Sequence, residues 1–224
     1  AGLPDGVLNV VHGDKEAVDA ILAHPGIQAV SFVGSTPIAK YVYETCARSS
    51  GPNGAKRVQA LGGAKNHAVV LPDADLEFAA DALIGAGYGS AGERCMAISA
   101  VVGLGAAADP LVKLLKEKAE SIVIGPGEKE GVDMGPLVTG QHRDKVAGYV
   151  DQGLKEGAKA VVDGRGQKVP GYEGGYYLGT TLFDHVKPGM KIYQDEIFGP
   201  LLSVLPVETL EQAIALVNSN PYAN

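Results

Sequence analysis

Gly89-Ser-Ala-Gly-Glu-Arg-Cys95 sets one cysteine at the end of a glycine-rich turn, directly after an arginine. Small residues let a backbone turn tightly and leave a substrate room to approach. A neighbouring guanidinium stabilises a thiolate, which is the nucleophilic form of cysteine. That is a setting for covalent catalysis. Local composition leaves a second reading open, a buried structural thiol. Arg94 adds a substrate preference, because a guanidinium fork binds a carboxylate bidentately; it could equally act on the Cys95 thiol alone or pair with Glu93. A second candidate is Gly34-Ser-Thr36, between a predicted strand and a predicted helix. Free N–H groups and the positive end of the helix dipole make such a turn an anion site, with a plain helix-capping serine as the alternative. Cys46 falls within the following helix and reads as packing. His12, His24, His67, His142 and His185 show no metal-ligand spacing.

Alternating strands and helices must hold these residues, the pattern of a mostly parallel sheet with helices on its faces. Val7–Val11 reads as a strand, followed by a helix from about Asp14 with Val18, Ile21 and Leu22 on one face and a stop at His24-Pro-Gly26. The apolar run Ala29–Val33 predicts a strand buried on both faces. A helix through Tyr41 and Tyr43, a loop over 49–54 and a strand over Arg57–Leu61 complete half of a doubly wound nucleotide-binding unit. A boundary near Lys65 separates residues 1–65 from 66–224. The second part opens with a strand at His67–Leu71 and a helix capped by Asp75, with Leu76, Ala80, Leu83 and Ile84 inward. A strand over Ala97–Leu104 follows, then a helix opened by Asp109-Pro110 and one from about Gln141 to Glu156. Leu201–Val207 is a strand, and Thr209-x-x-Gln212 is a capping box for the last helix.

The chain has 224 residues, is 46% hydrophobic and carries a formal net charge of −7. The acidic balance argues against nucleic acid as a partner, since phosphate binding wants a basic face. No apolar run approaches the roughly 20 residues of a membrane helix. Two cysteines give no disulfide framework, which points to a reducing cytoplasm.

Four motifs stand in order: Phe32-Val-Gly-Ser-Thr36, Leu61-Gly-Gly-Ala-Lys65, Gly92-Glu-Arg-Cys95 and Glu196-Ile-Phe-Gly-Pro200. In this order they resemble the signatures of the aldehyde dehydrogenase superfamily. Gly-Ala-Lys-Asn-His at 63–67 and Gly-Glu-Arg-Cys-Met at 92–96 are similar to its methylmalonate semialdehyde dehydrogenase branch. The resemblance covers the whole chain. It implies a three-layer, doubly wound α/β fold, with residues 1–65 as the later half of an NAD-binding domain and 66–224 as a catalytic domain cut short at its end. It makes Cys95 the nucleophile and Arg94 a substrate contact. Ser35, Gly62, Glu196 and Phe198 become NAD-binding residues, with Ser35 on the pyrophosphate and Glu196 and Phe198 on the nicotinamide ribose and ring. The family's oxyanion asparagine would lie upstream, so the resemblance implies a fragment, inactive in isolation, of a parent enzyme that is a homotetramer in the cytoplasm or, in a eukaryote, the mitochondrion.

Two positions depart from the family pattern. Ala39 replaces a usual glycine behind the phosphate turn. Leu61 stands where hydrolytic members carry the glutamate that activates water, and a leucine removes no proton. A thiol is then the better acyl acceptor. The resemblance thus implies oxidation of malonate or methylmalonate semialdehyde with transfer to coenzyme A. A hydrolytic aldehyde dehydrogenase with its base elsewhere, and a catalytically inactive fragment, stay open as alternatives.

Overall fold

The computed structural model describes residues 2–49 and 54–222. They form two compact units, Ala1–Gly63 and Ala64–Asn224.

The first unit contains α1 (Lys15–Ala23), β1 (Ala29–Val33), α2 (Thr36–Arg48) and β2 (Arg57–Leu61). Asp14 caps α1 by accepting from the Glu16 N–H, and β1 runs parallel to β2. Leu22, Val42 and Cys46 form its small core, with Val18, Val30, Phe32 and Val58 packed around it. Cys46 is therefore the packing thiol that its helix placement predicts.

Two expectations for this unit are corrected. Val7–Val11 is not a strand, and Val7, Leu8, Val10 and Val11 are exposed. A strand is held by a ladder partner, and among the described residues β1 and β2 pair only with each other. Nor is β1 buried on both faces: its residues alternate between exposed and half-buried, because a two-stranded sheet with one small core covers only one side. Ile21 is likewise exposed while Leu22, one residue on, is buried. Residues 50–53 of the expected loop lie outside the described residues.

The second unit is a five-stranded sheet in the order β3-β4-β7-β6-β5. Its strands are β3 (Asn66–Val70), β4 (Ile98–Leu104), β5 (Lys159–Val162), β6 (Thr181–Asp184) and β7 (Leu201–Val207). The pairs β3–β4, β4–β7 and β7–β6 are parallel, and only β5–β6 is antiparallel. The helices are α3 (Leu76–Tyr88), α4 (Ala108–Ser121), α5 (Gly140–Lys155), the short α6 (Lys191–Gln194) and α7 (Leu210–Ser219). Asp75 caps α3, Thr139 caps α5, and the Thr209/Gln212 capping box is formed at α7. Helix α4 packs on β4, β5, β6 and β7, and α7 on β4 and β7.

The core lies where these helices meet the sheet. Val101, Val102, Leu111, Leu115, Phe183, Leu202 and Val204 are wholly buried there. Each large apolar side chain so buried contributes about 1.5–3 kcal/mol. This core holds β3, β4 and β7 side by side, so the loops entering their amino ends are neighbours. Among the described residues no helix is long and apolar enough to cross a membrane.

Candidate active site

The Cys95 loop leaves α3 through a short left-handed turn. Ser90, Ala91 and Gly92 have φ of 55°, 53° and 70°. Left-handed backbone costs an L-residue about 1–2 kcal/mol, so packing must hold Ser90 and Ala91 there. Gly92 has a further constraint. A Cβ on it would sit 2.2 Å from the Gly199 carbonyl oxygen. The chain before Cys95 is thus in backbone contact with the loop before β7, which only glycine allows.

Cys95 itself is exposed. Asn66, the first residue of β3, holds the chain around it: its Nδ2 donates to the Cys95 carbonyl (2.8 Å) and to the Ala97 carbonyl (2.9 Å). A backbone clamped on both sides of Met96 leaves the thiol little freedom except its own rotamers. The Arg94 guanidinium folds back over Gly89, with Nη1 3.0 Å from where a Cβ would stand.

Glu196 and Phe198 enter from the loop before β7. Lys65 fixes this loop from inside: it is only 4% exposed, and its Nζ donates to the Ile192 and Asp195 carbonyls, both at 2.9 Å. Burial lowers the Lys65 pKa to about 8, against the opposing pull of Asp195 and Glu196. Tyr149 donates its hydroxyl to the Asp195 carboxylate at 2.9 Å. Its phenol is pushed up to about 12, first by burial and then by that bond. One Glu196 oxygen accepts from the Ala64 N–H at 3.1 Å, leaving the other to accept from a ligand hydroxyl. Phe198 has φ of +61° and a partly exposed ring. A bulky residue in that region signals strain held for a purpose.

The structure therefore brings Arg94, Cys95, Glu196 and Phe198 to one hollow, with Ala64 and Asn66 also in its wall. It sits at the amino ends of β3, β4 and β7.

Ser35 and Gly62 belong to the other unit, at the carboxyl ends of β1 and β2. There the Gly34 N–H donates to the Leu61 carbonyl at 3.1 Å and the Gly63 N–H to Thr36 Oγ1 at 3.0 Å. A Cβ on Gly62 would stand 2.9 Å from Thr36 Oγ1 and 3.3 Å from its Cα, so glycine lets the two turns close tightly. Ser35 occupies the N-cap position of α2, yet its side chain makes no cap hydrogen bond. The plain capping role is not what that hydroxyl does here. Ala39 is buried within α2, and Leu61 is exposed with no proton-accepting group.

Sequence reasoning missed Lys65, Asn66, Glu93 and His142 as site residues. Their partners are 29 to 130 positions away or on other loops, so spacing along the chain carries no trace of them. The one available signal was a charged lysine two residues before the predicted strand His67–Leu71.

An exposed thiol clamped beside an aromatic ring and a half-committed carboxylate can support chemistry through a covalent intermediate. The profile of the aldehyde dehydrogenase family matches residues 1–224, and the chain belongs to that family. More particularly, a malonate-semialdehyde dehydrogenase of Pseudomonas aeruginosa is 57% identical over 225 residues, covering 100% of this chain and 44% of that protein. The rat mitochondrial methylmalonate-semialdehyde/malonate-semialdehyde dehydrogenase (acylating) is 48% identical, covering 100% and 41%. The crystal structure of methylmalonate-semialdehyde dehydrogenase from Oceanimonas doudoroffii superposes with a TM-score of 0.93 at 52% identity, covering 100% and 45%. A protein of Sinorhizobium meliloti 1021 assigned the same activity, crystallised with NAD, gives 0.94 at 55% identity, covering 100% and 45%. The chain spans a little under half the length of these relatives.

Proposed function

We propose that this chain carries the nucleophile and the nicotinamide side of an NAD-dependent, CoA-acylating malonate or methylmalonate semialdehyde dehydrogenase. Residues 1–65 are then the later part of its NAD-binding domain and 66–224 part of its catalytic domain. The observation that carries this reading is the single hollow lined by Arg94, Cys95, Glu196 and Phe198, in a chain similar throughout to semialdehyde dehydrogenases.

The Cys95 thiolate adds to the aldehyde carbon, forming the C–S bond and placing the charge on the former carbonyl oxygen. That oxyanion needs fixed donors, and the Cys95 N–H is one candidate. Collapse of the oxyanion expels the aldehyde hydrogen with its electron pair and leaves a thioester on Cys95. NAD supplies the hydride acceptor when bound. The residues present suit it: the open Glu196 oxygen would accept from ribose hydroxyls, the Phe198 ring would pack beside the nicotinamide, and Ser35 with Gly62 would meet the pyrophosphate. Arg94 would hold the substrate's carboxylate. Because Leu61 offers no base for water, the acyl group passes to the coenzyme A thiolate, which attacks the thioester carbon as the Cys95 thiolate leaves. The resemblance further suggests a homotetramer in the cytoplasm or the mitochondrion.

Mapping the adduct by mass spectrometry tests this. The full-length enzyme, given malonate semialdehyde and NAD without coenzyme A, should accumulate acylated Cys95, and Cys95→Ala should be inactive. Acylation at Cys46, or activity surviving in Cys95→Ala, overturns the proposal.

A further inference from the structure

Glu93 lies two residues before Cys95, and its side chain is only 8% exposed although among the described residues no lysine or arginine forms an ion pair with it. Charged groups are seldom buried without a partner. Here Oε1 accepts from the Val138 N–H at 3.4 Å and lies 3.5 Å from His142 Nε2. That same Nε2 is 2.6 Å from the Phe198 carbonyl oxygen. A carbonyl oxygen only accepts, so Nε2 carries the proton and donates to Phe198 while facing Glu93.

His142 stands in the first turn of α5, where its backbone N–H donates to the capping Thr139 Oγ1 at 3.1 Å. Its ring meets the Phe198 ring edge-on at 6.5 Å between centroids. One ring nitrogen thereby stands between the two loops, bonded to the strained Phe198 peptide and 3.5 Å from the carboxylate of the nucleophile loop. The same two loops touch directly, backbone to backbone, at Gly92 and Gly199.

We infer that Glu93 and His142 are a positioning pair: they fix the spacing between the Cys95 loop and the Phe198 loop, and so the alignment of the thiol with the ring that packs on Phe198. Neither residue lines the hollow that holds Cys95 and Phe198. The inference rests on the proposed dehydrogenase reading for its kinetic consequence, while its structural consequence is independent of that reading. If the pair aligns the thiol with the nicotinamide, breaking it should harm NAD use and hydride transfer together, and leave the substrate's carboxylate contact at Arg94 intact.

The test uses the full-length enzyme and the variants Glu93→Leu, His142→Leu and the double variant, with Glu93→Gln and His142→Gln as conservative forms. Losing one of these contacts should raise the KM for NAD about tenfold and lower kcat by at least as much. The KM for malonate semialdehyde should stay within about twofold, since no Arg94 contact is lost. His142→Gln, which keeps a donor, should recover part of the loss.

The second readout needs no turnover: the rate of Cys95 alkylation by iodoacetamide, followed on the Cys95 peptide. Each leucine variant should raise it several-fold, and the double variant should add little, because both changes break one link. A Tm fall with NAD KM and alkylation unchanged, or additive alkylation effects, overturns the pair while leaving Cys95 acylation untouched. Wild-type enzyme that oxidises no aldehyde overturns the dehydrogenase reading instead, and the alkylation cycle still decides the pairing. If the leucine variants do not fold, the same cycle is run with the two glutamine variants.

Discussion

Gly92→Ala tests the contact on which the site depends. The added methyl would meet the Gly199 carbonyl oxygen at 2.2 Å and its carbon at 2.6 Å, both backbone atoms. The two loops must part by about 1 Å to reach ordinary contact. Gly92 also has φ of +70°, where an alanine costs about 1–2 kcal/mol. Forcing atoms into a packed site adds about 1–3 kcal/mol, so the unit should lose about 2–5 kcal/mol. For a domain of this size that is a Tm fall of roughly 5–15 °C. The functional loss should be larger than stability alone accounts for, because a displacement near 1 Å between reacting groups costs about a hundredfold in rate. Calorimetry gives the first quantity, and kcat/KM at 25 °C, where the variant is still folded, gives the second. Ser90→Gly is the control: Ser90 is exposed at φ of 55°, so glycine there should leave stability unchanged or raise it by up to about 1 kcal/mol. A Gly92→Ala enzyme with unaltered Tm and kcat/KM would refute the claim that the loops touch at this point.

Three further outcomes are expected. Arg94→Leu should reduce kcat/KM for carboxylated semialdehydes about 10- to 150-fold, with little effect on uncharged aldehydes of similar size; equal losses on both would confine Arg94 to activating the thiol. Leu61→Glu should increase release of free acid in the absence of coenzyme A, measured by product analysis, and an unchanged product ratio would mean that Leu61 does not decide the acyl acceptor. Lys65 should leave a mark on stability at alkaline pH. Its folded pKa of about 8 lies below the ordinary lysine value of 10.5, so between those values the unfolded chain holds a proton that the folded protein has released. Stability contributed through Lys65 then rises with pH across that window, by about 3 kcal/mol in all. Denaturant unfolding of wild type and Lys65→Met from pH 7.5 to 10.5 should show wild type gaining stability relative to the variant as pH rises, and parallel curves would refute the shift.

Local chemistry determined much of the architecture directly. The caps at Asp14, Asp75 and Thr209, the strands Arg57–Leu61 and Leu201–Val207, and the stop after Ala23 follow from residues within a few positions of one another. Cys95 stood out as the candidate nucleophile for the same reason: a glycine turn, an arginine and a thiol are adjacent in sequence. The failures share one cause as well. Val7–Val11 has the composition of a strand, but a strand exists only with a neighbour to complete its ladder. Ala29–Val33 is apolar enough for burial on two faces, but its exposure depends on what covers it. The antiparallel β5 and the paired β6 went unread, because short strands are specified by their place in the sheet more than by their own four residues. Which residues hold the site together was decided in three dimensions. Asn66 reaches Cys95 across 29 positions, Lys65 reaches Asp195 across 130, and His142 reaches Phe198 across 56. Such bonds form because parallel strands align the loops at their ends, an arrangement fixed by the packing of a common core and carried by no local stretch of the chain.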